Sequence, residues 1–556
     1  MERSLFFGTP LKSPLELGTP LGSLERLLKS PGTWNAFRLF GTPLKSHSQS
    51  RLLKSCLFAT GCSGIVAEFT LSTLASYILG NTTLQWTLIM SLMLFTMGVG
   101  SRISRYIDRN LLDVFISIEF LLSVLCATCA IAAYFGRALI GESTFVIYGY
   151  GCAIGLLIGM EIPIVARMNE AYEGLRTNIA SVMEKDYYGA LFGGLLFAFL
   201  ALPKLGLTYT PIALGAVNFA VASALYWKYW NLTVHRGRLH IAFWGVGIGI
   251  CALAVFARPL VMFGEQSQYR DRIVFTAQTP YQKLVITEWK QNHWLFIDGH
   301  IQFSTYDEER YHEPLVHPGM GVAASHENVL ILGGGDGLAL REVLKYPDVN
   351  SATLVDLDPE MTRLGRENPV LLAVNEGAFQ DARVTVVHQD AGTFVEQTDR
   401  VYDVIIIDLP DPRGPNLARL YSRGFYRNCN NILSKAGILI TQASSPLHAN
   451  KAFLCVIKTI QSAGFETVPY QNAIPTMGTW GWVLAGKQEY ISEQELASAL
   501  SGLVYPGLDT EYLNQEAMLG MMQFWKGALV GMDAIAVNTV MEPVIDQYYR
   551  EAKWGF

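Results

Sequence analysis

"VLILGGGDGLALREVLKY", Val329–Tyr346, passes from a short apolar run through three glycines and Asp336 into a helical pattern. A glycine cluster between a strand and a helix lets backbone approach a ligand, and the helix N-terminus favours polar or anionic atoms. The spacing is not the dinucleotide pattern G-x-G-x-x-G. A carboxylate at Asp336 would repel a pyrophosphate and attract an ammonium ion. The strand–helix alternation recurs downstream. Ala352–Val355, Val384–Val387, Val404–Ile407 and Ile438–Thr441 are short apolar strands separated by helix-length segments. That order argues for an α/β fold with a parallel, doubly wound sheet.

Acids sit at successive strand ends. Asp356 follows the second strand, where a carboxylate can accept ribose hydroxyls. Asp390, in "HQDAGTF" after the third, is placed to accept from an adenine amino group. A nucleoside with a cationic tail fits these acids better than NAD. The fourth strand lies in "YDVIIIDLPDPRGPNLARLYS", Tyr402–Ser422, and stops abruptly at Asp408, with Asp411 between two prolines. Each proline lacks an N–H and fixes its own φ, so pairing cannot continue. A turn-forming role explains Asp411 but explains Asp408 poorly, at the tip of a hydrophobic strand. Catalysis is therefore expected of Asp408, and substrate binding or turn formation of Asp411.

The first half is a different material. Of 556 residues only 16% are charged, and the deficit concentrates between Cys56 and Phe263. Seven apolar segments, about 56–80, 83–104, 111–135, 144–166, 187–203, 209–227 and 239–263, are long enough for membrane-spanning helices. Glu68, Glu161 and Asp186 within or beside them are functional candidates or edge residues. Bases gather in alternate loops: Arg102, Arg105 and Arg109; Arg167, Arg176 and Lys185; Lys228, Arg236 and Arg238. The positive-inside rule puts those loops in the cytoplasm. Seven crossings would then leave the second half on the opposite face. Residues 1–55 repeat "FGTPLKS" and carry eight Lys/Arg against three Glu, which reads as a disordered basic tail. The eight cysteines form no disulfide framework, no His/Cys cluster has metal spacing, and the net charge of −6 suggests no nucleic-acid partner.

"YQKLVI", "LFIDGHIQFSTYDEERYHEPLVHP", "GGGDG", "VDLD", "QDA", "YDVIIIDLPDP", "LYSRGFY" and "IPTMGTWGW" occur in the order found in the spermidine synthase family of aminopropyltransferases. The chain from about 270 to 490 resembles that family. "GMEIPIVAR" and "DYYGALFGGLLFAFLALPKLGL" resemble its membrane-fused subgroup. The resemblance, from which residues 1–55 are excluded, implies a small β-rich domain (264–320) before a methyltransferase-like Rossmann domain (321–490); composition and pattern add the tail (1–55), a transmembrane domain (56–263) and a closing helical segment (491–556). It implies no metal and no bound cofactor. Decarboxylated S-adenosylmethionine would be co-substrate, giving its aminopropyl group to a diamine such as putrescine; since that donor is made in the cytosol, a cytoplasmic catalytic half is expected in spite of the seven crossings. A lipid bilayer is a further expected partner, and a homo-oligomer is compatible. Gln282, Gln302, His312, Gly333, Gly335, Asp336, Asp356, Asp390 and Ala391 would bind the donor. Tyr311 and Asp411 would bind the acceptor, and Asp408 would be catalytic. Leu338 replaces the family's usual glycine and Asp356 its usual glutamate. Tyr421 and Tyr426 read as packing against the sheet. Two alternatives stay open: an S-adenosylmethionine-dependent methyltransferase, and a polyamine transporter or sensor whose second half only binds.

Overall fold

The computed structural model describes residues 47–79, 82–140, 143–170 and 174–552; the tail expected to be disordered lies, over 1–46, outside them. The apolar half is helical: α1 (His47–Leu79), α2 (Thr82–Ser104), α3 (Leu111–Ile140), α4 (Thr144–Asn169), α5 (Leu175–Leu196), α6 (Leu202–Lys228) and α7 (Arg236–Gln266). Helix α1 begins at His47, inside the segment assigned to the tail.

Six helices among the described residues are long and apolar enough to cross a membrane, not seven. The fifth and sixth expected segments run together as one helical stretch, Arg176–Lys228. A π-turn at Phe197–Ala201 joins α5 to the start of α6, ahead of the gap between 203 and 209 that the sequence suggested. The stretch is not straight. Gly206 has φ 63° and ψ −173°, a conformation that glycine tolerates, and the two arms reverse direction around it. Helix α5 runs parallel to α1, with Gly189 against Phe58 and Phe197 against Phe69. Helix α6 runs antiparallel to α3, with Ser123 Oγ donating to the Gly215 carbonyl at 2.6 Å and Phe219 beside Phe120. Glycines at 155 and 159 allow α4 to touch the backbone of α2. Glu119, fully buried on α3, has no hydrogen-bond donor at either carboxyl oxygen among the described residues.

The basic loops share one end of this bundle. Arg167 Nη1 and Nη2 donate to the carbonyls of Ile107 and Ser104 at 2.8 and 2.7 Å. Asp113 accepts the N–H groups of Val234 and His235. Helix α7 leaves at the other end, where Phe263 meets Phe135, and there the second half begins. Lys283 pairs with Glu265 at 2.8 Å across that junction, both nearly buried.

Four antiparallel strands follow: β1 (Arg272–Gln278), β2 (Lys283–Trp289), β3 (Asn292–Ile297) and β4 (His300–Ser304). After α8 (Glu309–Val322) comes the large sheet: β5 (Asn328–Gly333), β6 (Ser351–Asp356), β7 (Val384–His388), β8 (Tyr402–Asp408), β9 (Leu433–Gln442), β10 (Phe465–Ile474) and β11 (Gly478–Lys487). Its order is β10-β11-β9-β8-β5-β6-β7. Strands β5 to β9 are parallel, as their apolar runs predict, and β10 and β11 add an antiparallel edge. Helices cover both faces: α9 (Leu338–Leu344), α10 (Pro359–Glu367), α11 (Ala391–Gln397), α12 (Arg423–Ile432) and α13 (Asn450–Gln461) connect the strands. Both inner faces are almost wholly apolar, as strands buried on two sides require. This is a Rossmann-type sheet. The closing segment is less helical than expected. It holds α14 (Glu493–Ser501), α15 (Gln515–Met521) and α16 (Val544–Arg550), separated by long turns. Buried Glu313 of α8 pins it by accepting the N–H groups of Glu511, Tyr512 and Leu513 at 2.6, 3.0 and 2.7 Å.

Candidate active site

The strand order reverses between β5 and β8, so their C-terminal ends open a crevice. Gly333 and Asp408 are direct neighbours in the parallel register there. Gly333 has φ 87°, and a side chain on it would run into the Asp408 carbonyl. A side chain on Gly335 would strike the Asp356 carboxylate. These glycines therefore bring the ends of β5, β6 and β8 together. Asp336 Oδ1 accepts the Leu338 N–H at 2.9 Å, which starts α9. Leu338, unusual by the family pattern, is buried against Leu284, Ile286 and Phe303 of the small sheet.

Around the crevice the acids are graded by their neighbours. Asp408 Oδ1 accepts from the Tyr311 hydroxyl at 2.8 Å. Burial and the charge of Asp336 push its carboxyl up to about 6, against the opposing pull of His312 and Tyr311. Burial raises Asp336 as well, and His312 opposes it. His312 Nδ1 lies 2.8 Å from Glu308 Oε2. Burial works against its charged form, but the Glu308 hydrogen bond and charge outweigh it and lift the imidazole to about 9. Glu308 also accepts from Arg341 at 2.6 and 3.1 Å. A buried imidazolium thus stands behind Asp336 and Asp408, and a carboxylate flanked by two cations holds it. Burial lifts Asp356 to about 6, and its Oδ1 accepts the Asp358 N–H at 2.8 Å.

The other expected donor residues are less central. Asp390 caps α11, the helix that Ala391 opens, and accepts the Thr393 N–H and hydroxyl at 2.9 and 3.0 Å. It also pairs with Arg419, which with Thr393 keeps its carboxyl low despite partial burial. An adenine amino group would have to share that carboxylate. Gln282 Nε2 donates to Asp358 Oδ2 at 3.0 Å, and Gln302 Nε2 to the His300 carbonyl at 3.2 Å. Among the described residues, neither glutamine hydrogen-bonds to Asp336, Asp356 or Asp408.

Asp411 follows on the proline-bounded loop. Burial raises its carboxyl, and the Tyr549 hydroxyl, donating to Oδ2 at 2.7 Å, opposes that rise. Tyr421 is buried, but it does more than pack. Its hydroxyl donates to the Leu409 and Pro410 carbonyls at 3.0 Å and so fixes the loop between the two acids. Tyr426 is fully buried in the core, as read. Sequence reasoning missed Glu308, although its spacing of four from His312 on one helix was a usable signal. It also missed Arg413 and Tyr549, for which no local spacing gave a sign.

The Spermine/spermidine synthase domain matches residues 308–496. Polyamine aminopropyltransferase 2 of Aquifex aeolicus is 42% identical over 508 residues, 90% of this chain and 99% of the relative. The polyamine aminopropyltransferase of Oceanobacillus iheyensis is 36% identical over 516 residues, 91% of this chain and 98% of the relative. The crystal structure of a spermidine synthase in complex with the transition state analogue AdoDATO is 26% identical, covers 46% of this chain and 88% of that one, and superimposes with a TM-score of 0.42. A near-full-length match to named enzymes and a domain match that spans the crevice lead to one statement: the chain belongs to the polyamine aminopropyltransferases, enzymes of the spermine/spermidine synthase family.

Proposed function

We propose that this enzyme moves the aminopropyl group of decarboxylated S-adenosylmethionine to a diamine such as putrescine, giving spermidine and methylthioadenosine. The observation that carries the reading is the convergence of Asp336, Asp356 and Asp408 at the ends of β5, β6 and β8, with Tyr311 bound to Asp408. Asp356 takes the ribose, Asp336 the donor's amine, and Asp390 with Ala391 the adenine. Gln282, Gln302 and His312 line the donor side, the glycines of the turn give the nucleoside room, and Tyr311 and Asp411 hold the acceptor.

The reaction is a direct displacement. The amine lone pair forms a C–N bond to the carbon next to the sulfonium. The C–S bond breaks with its electrons going to sulfur, so methylthioadenosine leaves neutral and needs no acid. The difficulty lies in the nucleophile, since an alkylamine near pKa ~10 is almost wholly protonated at neutral pH. Asp408 accepts that proton, directly or through water, and aligns the lone pair. Its raised pKa narrows the gap to the ammonium and still leaves it ionised above about 6.

We also infer that the helical half lies in a membrane. A straight helix of 53 residues would be about 80 Å long against a hydrocarbon core of about 30 Å, which supports two crossings by the arms around Gly206. The basic loops lie at the end away from the second half. Under the positive-inside rule this favours a catalytic half on the non-cytoplasmic face, against the expectation from the donor's origin. A reporter fused after Phe556 reads the side directly. The chemistry is tested by incubating full-length protein in detergent with the decarboxylated donor and putrescine. Methylthioadenosine and spermidine in equal amounts are the expected products; S-adenosylhomocysteine from S-adenosylmethionine would indicate a methyltransferase instead.

A further inference from the structure

Arg413 is an odd residue to find beside a polycation site. Its Nη2 donates to the Tyr549 hydroxyl at 2.8 Å, and that hydroxyl donates to Asp411 Oδ2 at 2.7 Å. One oxygen links the two, so the guanidinium stands no more than about 5.5 Å from the carboxylate. The guanidinium also lies over the Tyr549 ring, 5.0 Å from its centre. On its other side Nη1 contacts the His300 ring, 2.7 Å from Nδ1. Burial and the Arg413 charge push that imidazole down to about 4, so it is neutral. The direct hydrogen-bond partners of Arg413 are a phenol and a neutral imidazole, and the opposing charge it faces in this assembly is the Asp411 carboxylate, whose pKa it lowers. Helix α16 locks the assembly, with Asp546 accepting the Gly414 N–H at 2.8 Å and pairing with Arg550 at 2.6 Å. This helix lies beyond the matched domain of residues 308–496.

We propose that Arg413, held behind Asp411 by Tyr549 and His300, is a length filter that admits a short diamine and excludes longer polyamines. The proposal rests on the reading of Asp408 as base and Asp411 as acceptor site. A diamine with its reacting nitrogen at Asp408 ends with its distal ammonium at Asp411. A triamine continues past Asp411 and carries a further positive charge toward Arg413. Like charges about 5 Å apart at an effective dielectric of ~20 repel strongly enough to cost more than a hundredfold in binding, and the nearby Asp411 carboxylate and partial exposure reduce that to roughly tenfold or more. Tyr549 is a positioning residue here. It carries no charge, and it fixes Arg413 relative to the acid.

The test uses the full chain in detergent micelles, with the decarboxylated donor and putrescine or spermidine as acceptor, reading methylthioadenosine release and product identity. The wild type is expected to favour putrescine over spermidine at least tenfold in kcat/KM. Arg413→Gln and Tyr549→Phe are each expected to raise the spermidine-to-putrescine ratio at least tenfold. A wild type that uses both amines equally, or an unchanged ratio in both variants, overturns the filter. Loss of turnover with both amines in both variants also overturns it, because a length filter is dispensable for the short substrate. A wild type that releases no methylthioadenosine with any amine refutes the aminopropyl reading itself, which separates the two failures.

Discussion

Asp408→Asn is the sharpest perturbation of the site. Asparagine keeps the size of the side chain and an oxygen for the Tyr311 hydroxyl to reach, so the crevice should stay closed around it. Only the ability to take a proton is lost. In the folded enzyme the Asp408 carboxyl titrates at about 6, against a model-compound value of 3.8. That elevation of roughly two units brings the base nearer the acceptor ammonium by about 3 kcal/mol. At pH 7.5, above that value, the carboxylate is still the main form. Losing a positioned base typically costs 10²- to 10⁴-fold, or about 3–5 kcal/mol of transition-state stabilisation. The assay is methylthioadenosine release from saturating donor and amine between pH 5 and 9, with donor binding measured separately. On the proposed role the ionised form is the active one, so wild-type kcat should fall about tenfold per pH unit below about 6. Asp408→Asn should lose at least a hundredfold at pH 7.5 and lose that acidic limb as well, with donor affinity little changed. A variant that keeps more than a tenth of the wild-type rate and the same limb would refute the assignment of Asp408 as base.

Tyr311→Phe removes a hydrogen bond that favours the Asp408 anion, so the acidic limb of kcat should move up by about half to one unit. His312→Gln removes the imidazolium that lowers both Asp336 and Asp408, and the same limb should rise by about one unit, with weaker donor binding in titration calorimetry. Glu313→Ala strands three backbone N–H groups; a stability loss of about 3 kcal/mol and faster proteolysis within residues 502–552 are expected. Gly333→Ala places a side chain at φ 87° against the Asp408 carbonyl, and loss of more than about 2 kcal/mol in denaturant titration should accompany loss of turnover.

Local chemistry made much of this legible. The parallel strands are buried on both faces, so their sequences are largely continuous apolar runs, and those of β5, β6 and β8 end where a glycine or carboxylate meets the crevice. Strand β10, "FETVPYQNAI", escaped because its polar residues and Pro469 belong to an edge strand that alternates core and surface. The bend at Gly206 was read as a gap between two helices, and the arms do reverse there, but α6 begins before the bend rather than after it. Here Pro203 sits in the first turn of α6, where its missing N–H does no harm. The pair of Asp390 with Arg419 and the bond of Asp411 to Tyr549 join residues 29 and 138 positions apart. No periodicity encodes such partners. Only the packed sheet and the returning C-terminal helix bring them into reach.

Gly206 has a consequence beyond the bundle that contains it. If the helical half lies in a membrane as proposed, a stretch that turns back on itself counts twice, and so one residue decides whether the chain crosses an even or an odd number of times. With an odd count, the arginine-rich loops and the crevice face different compartments. Each catalytic cycle would then consume its sulfonium and release its thioether and lengthened amine on the side opposite those loops, making the enzyme's output vectorial.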